Sequence, residues 1–175
     1  MIRSISSLLC LAIIGICFIT SCGQTPENNK LIDEINGAKI KARNLGEEAE
    51  RKRTKARDSG DRNERHRLIE EAATLYGHAS DTLFEAAKNA SEMAKVKRPT
   101  WYEEYFQLQS KLINNLAQLA AGAHEELLAR DRGEPSESQV QSWRENINRI
   151  KKENEEFRRQ ITAIESRQGI VLIKE

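Results

Sequence analysis

Almost nothing in the chain favours a β-strand. No alternating run of β-branched residues is longer than Ile170-Val171-Leu172-Ile173, so a sheet has no raw material. Aromatics make up 5% of the residues, which leaves a core to be built from aliphatic side chains and alanine. Glycine and proline are sparse and gather at a few points, where they break helices without filling long loops. Excess charge of one sign is missing too. A formal net charge of +1 argues against a general nucleic-acid binder. What is abundant is alanine, leucine, glutamate, lysine and arginine, the composition of long helices. No short internal repeat of solenoid type is present.

Cysteine is scarce as well, and its placement is informative. Cys10 and Cys17 lie within an apolar run, and Cys22 closes it. Residues 1–21 carry one positive charge, Arg3, then the stretch from Leu8 to Ile19, then small residues. That is the order of an export signal. The unbroken apolar stretch, Ile5 to Ile19 with two serines, is shorter than the roughly 20 residues a spanning helix needs. The polar residues after Cys22 are not a basic stop-transfer flank.

The exit Ile19-Thr20-Ser21-Cys22 resembles the lipobox of bacterial lipoproteins: an aliphatic residue, two small residues, then cysteine. The resemblance covers the first 22 residues. It implies a diacylglycerol on the Cys22 thiol, cleavage just before it, and acylation of the new amino terminus. It also implies a lipid-anchored place in the bacterial cell envelope. Gly23 stands where many inner-membrane lipoproteins of enteric bacteria have aspartate, which favours the outer membrane. Cys10 and Cys17 then leave with the signal, and the remaining domain folds without disulfides. Its stability must come from a packed core, which a chain of this size can supply.

Four segments have helical periodicity and recognisable start signals. After a tether over residues 22–25, Thr25-Pro26-Glu27 opens a helix expected over 26–57, with Leu31, Ile35, Ala38, Ala42, Leu45 and Ala49 on its seam. Asp61 and Glu64 have capping-box spacing and open the second, over 62–95. Its stripe is rich in alanine, so a neighbour can approach closely. Thr100 and Glu103 repeat the box for the third, over 100–131, and Ser136 and Gln139 for the fourth, over 136–167. In the fourth, Val140, Trp143, Ile147, Ile150, Asn154, Phe157, Ile161 and Ile164 keep the clearest rhythm in the chain. Asn154 reads as a register device or as a solvated gap. Similar lengths and tight turns predict an all-α, antiparallel up-down-up-down four-helix bundle over 26–167. The runner-up is a three-helix core with a peeling first helix, and third is an extended coiled-coil hairpin. Residues 168–175 form an apolar tail.

Topology then sorts the remaining features by end. The tether holds the start of the first helix at the lipid headgroups, together with Lys97, Arg98, Trp101, Tyr102 and Ile170 to Ile173. Basic and aromatic residues suit that interface. Equally, Trp101 and Tyr102 begin a helix and can simply cap the core. At the opposite end Arg51, Arg53, Arg57, Arg62 and Arg65 crowd the first turn with Lys52, Lys55 and Arg67, and Arg130 and Arg132 lie in the other. This tip suits an acidic protein or an anionic envelope polymer, although charge runs on exposed helices are usually solvated faces.

Catalytic and metal patterns are missing. Asn63, Leu75 and Ala121 stand three residues before His66, His78 and His124, where a di-iron bundle has glutamate. His124 is expected near Glu70 and Glu71. The paired glutamates, Glu125-Glu126 among them, read as solvated faces. No cofactor, metal or enzymatic activity is expected, and oligomeric state stays open. The expected function is a non-catalytic lipoprotein presenting its bundle as spacer, scaffold or interaction module. The alternatives are a carrier of a small ligand or metal in the bundle interior, and an assembly factor or chaperone using the basic tip.

Overall fold

The computed structural model describes residues 26–96, 99–133 and 135–168. Helix α1 spans Pro26–Asp58, α2 Arg62–Ala94, α3 Thr100–Arg132 and α4 Glu137–Gln168. At 1.5 Å per residue each is roughly 50 Å long. No strand occurs among the described residues. Cross-helix bonds give the directions. Glu34 meets Asn89 while Lys52 meets Glu71, and Ser110 meets Ala87 while His124 meets Ala73. Tyr105 meets Glu165 while Asn115 meets Asn154. Each neighbour therefore runs against the last, and the fold is an antiparallel up-down-up-down four-helix bundle.

The starts of α2, α3 and α4 follow from local chemistry, with two departures, while Thr25, the expected cap of α1, lies outside the described residues. The Asp61 carboxylate accepts from the N–H groups of Asn63 and Glu64 at 2.7 and 3.0 Å, which satisfies two orphan donors of α2. Its box is half formed, because the Ser59 hydroxyl donates to Glu64 instead, at 3.0 Å. The α4 box is complete: Ser136 Oγ accepts from Gln139 N–H, and Gln139 Oε1 from Ser136 N–H. At α3 the expected Thr100 cap is not formed. Pro99 is the N-cap, without a side-chain cap bond, and its carbonyl accepts from Tyr102 N–H at 2.9 Å. The proline's fixed φ starts this helix.

Ile32, Ile35, Ala42 and Ala49 of α1 pack into one core with the alanines of α2 and with Tyr105, Phe106 and Ile113 of α3. The runner-up architecture is corrected here: α1 does not peel away, since Ala49 and Ala56 in its second half are 0% and 1% exposed. Small residues bring α2 and α3 so close that side chains of one reach helical carbonyls of the other. Ser80 Oγ donates to Ala117 O at 3.1 Å, Ser110 Oγ to Ala87 O at 2.8 Å, and His124 Nδ1 to Ala73 O at 2.7 Å.

Helix α4 is held differently. It packs on α3 far less extensively than α2 does. Its buried residues are Ile150, Asn154, Ile161, Ile164 and Glu165, whereas Val140, Trp143 and Ile147 stay half-buried. The most regular seam in the sequence is thus the least covered.

Candidate functional site

The interior contains a chain of buried polar side chains joining three helices. Lys39 Nζ on α1 donates to Gln109 Oε1 on α3 at 3.1 Å. Gln109 Nε2 donates to Tyr105 Oη, and Tyr105 donates to Glu165 Oε1 on α4, both at 3.2 Å. Lys39, Tyr105, Gln109 and Glu165 are 6%, 1%, 2% and 2% exposed. Burial pushes the Glu165 carboxyl above the usual carboxylate range, against the hydrogen bond from Tyr105 and the Lys39 charge. Glu165 Oε2 has no hydrogen-bond partner among the described residues. Further along, Asn115 Nδ2 donates to Asn154 Oδ1 and Glu153 Oε2, both at 3.0 Å. Asn154 is therefore a paired core residue, not a solvated gap.

Sequence reasoning missed this chain. Charged residues inside a bundle are rare without partners, and the partners sit on other helices. The only hint is position. Lys39 follows the seam residue Ile35 by four and Glu165 follows Ile161 by four. Glu126 is a related correction: it is 3% exposed rather than on a solvated face, because Arg130 donates to it at 2.8 Å.

At the end where α1 and α3 begin, the aromatic residues stack into the core. Trp101 meets Tyr102 edge-on with centroids 5.8 Å apart, and Tyr102 lies 4.7 Å from Phe106. Tyr102 is buried while Trp101 is half-buried, so Trp101 is the one with an open face. Lys95 is exposed and pairs with Glu92. Cys22, Lys97, Arg98 and Ile170 to Ile173 lie outside the described residues. No helix among the described residues is long and apolar enough to cross a membrane.

At the opposite end the α1–α2 turn is basic. Lys52 and Arg67 both hold Glu71, at 2.6 Å each, and keep its carboxyl below the usual range. Arg53 pairs with Glu50 and Arg57 with Asp58, and Arg65 donates to the Ser59 carbonyl. Arg51, Lys55 and Arg62 are exposed and form no ion pair among the described residues. Lys55 and Arg57 also face the negative end of the α1 dipole. The α3–α4 turn adds one open cation, the exposed Arg132, which forms no ion pair among the described residues. Arg130 is held by Glu126, and Asp131 pairs with His66. At this end the exposed cations without an ion pair among the described residues are Arg51, Lys55 and Arg62 on one turn and Arg132 on the other.

His124 Nδ1 donates to the Ala73 carbonyl, within one turn of Glu70 and Glu71. Those carboxylates pair elsewhere, Glu70 with His66 and Glu71 with Lys52 and Arg67. His66 also meets Asp131. Among the described residues no group of three or more His, Cys, Asp or Glu is placed to hold a metal ion. An open depression of about 390 Å³ between α2 and α3 is lined by Phe84, Lys88, Ser91, Ser110, Lys111 and Asn114. It lies on the surface and not in the bundle interior. No protein-family model, no curated protein and no solved structure matches the chain.

Proposed function

We propose that the chain is a non-catalytic lipoprotein of the bacterial envelope, anchored through acyl chains on Cys22 and presenting its bundle as a spacer, scaffold or interaction module. The observation that carries this reading is the Ile19-Thr20-Ser21-Cys22 exit, placed just ahead of a helix that starts at Pro26. Four residue steps reach at most about 14 Å, so an acylated Cys22 keeps the start of α1 near the headgroups. Two or more acyl chains make such anchoring stable where one is reversible.

In this reading Lys95, Lys97, Arg98 and Trp101 share the anchored end, and each cation adds about 1 kcal/mol on anionic lipid. The basic α1–α2 turn stands roughly 50 Å away, the length of one helix. Arg51, Lys55 and Arg62 are free there to meet an acidic protein or an anionic envelope polymer. The carrier and chaperone alternatives draw less support. The depression faces solvent, and Phe84, the exposed large hydrophobic among the described residues, lies well away from the tip.

The test is Cys22→Ser followed by cell fractionation. The variant is expected in the soluble fraction and the wild type with membranes. A variant that stays membrane-bound after a high-salt wash overturns the anchor.

A further inference from the structure

We propose that α4 is an arm that docks on, and leaves, a stable unit made of α1, α2 and α3, and that the buried chain Lys39–Gln109–Tyr105–Glu165 is the latch that sets how often it leaves. The inference does not depend on the lipid anchor.

The packing is uneven in the way such an arm requires. α4 buries five residues where α3, of nearly the same length, buries fifteen. Two of the five, Asn154 and Glu165, are polar. Segments with little buried apolar surface open at a lower free energy than the rest of a protein. The joint between α3 and α4 is a short turn. Gly133 has φ 158°, a backbone state that side-chain-bearing residues rarely adopt, and Pro135 follows two residues later.

The latch is weak for a physical reason. Glu165 is docked with one carboxylate oxygen unmatched among the described residues, and an unmatched buried oxygen opposes docking. Facing it are Lys39 on α1 and Tyr105, joined to Gln109, on α3. Undocking returns the carboxylate to water. It also uncovers the α3 face that carries Tyr105 and Asn115, with Leu108, Leu112 and Leu119 at the same three-four spacing.

Hydrogen exchange read by mass spectrometry on the full chain tests this. Peptides of α4 are expected to exchange at least about tenfold faster than those of α2 and α3. A single rate across all four helices overturns the arm. Tyr105→Phe strips the bridging hydroxyl and is expected to speed α4 exchange several-fold while α1 to α3 stay unchanged. Glu165→Gln keeps an acceptor for Tyr105 without the charge, and is expected to slow it. If either variant shifts all helices together, or leaves α4 unmoved, the latch is wrong. Should Tyr105→Phe fail to fold, Glu165→Gln decides alone.

Discussion

Tyr105 illustrates what single side chains do in this molecule. Its ring lies in the core 5.3 Å from Phe106, while its hydroxyl joins Gln109 to Glu165. One residue thus serves both the apolar packing and the polar chain. Elsewhere the alanines set the spacing. Ala79 is 0% exposed at the centre of α2, and the serine-to-carbonyl bonds beside it need the two backbones close. Ala79→Leu is expected to cost about 1–3 kcal/mol through overpacking, read as a lower midpoint in chemical denaturation. At Gly133 an added Cβ meets nothing within 4 Å, yet its φ is 158°. Gly133→Ala is therefore expected to cost about 1–3 kcal/mol from backbone strain alone, and an unchanged midpoint would show that the turn relaxes freely.

Much at this scale could not be read from the sequence. Lys39, Glu126 and Glu165 look like solvated residues until their partners on other turns and helices are known. Asn154 was readable because it interrupts an apolar seam, but its partner Asn115 was not. Arg130 reads as part of a basic surface because nothing local shows that Glu126, four residues earlier, is buried.

Among the elements, start and stop signals were the most legible feature. Asp58-Ser59-Gly60-Asp61, Pro99 and Gly133 through Ser136 mark the three turns, and apolar spacing shows which face of each helix turns inward. How completely that face is covered is a tertiary property. α4 has the most regular seam and the least burial, because periodicity names a face and not its neighbours.

Helix α4 also carries opposing pH responses. Burial raises the Glu165 carboxyl in the folded state, so its contribution to docking is fully present below the unfolded glutamate value and is lost as pH rises through the folded value. Glu153 is lowered by hydrogen bonds from Arg149 and Asn115. Its contribution is present above the unfolded value and is lost as pH falls through the folded one. Exchange protection in α4, corrected for the intrinsic pH dependence of exchange, is expected to decline as pH rises above the ordinary glutamate range. Glu165→Gln is expected to flatten that decline, and an identical decline in the variant contradicts the assignment.

For the whole molecule, four helices of 33, 33, 33 and 32 residues give a rod with two distinct ends. An antiparallel bundle was legible because matched lengths and tight turns leave few other arrangements. The function of the rod was not, because surface charge at an end names a chemistry and not a partner. On the proposed account one end meets lipid and the other a partner of negative charge. Replacing Arg51, Arg53, Arg57, Arg62 and Arg65 by Gln is expected to weaken binding of a defined polyanion, such as inorganic polyphosphate, by about tenfold or more at low salt. Wild-type binding should itself fade as ionic strength rises. Equal binding by the two proteins would remove the tip from the account.

The most direct measurement is the intact mass of the protein purified from bacterial membranes, with fragmentation of its first peptide. The proposed function predicts a chain that starts at Cys22, with a diacylglycerol thioether on its sulfur. A free Cys22 thiol, or a chain that keeps residues 1–21, contradicts it.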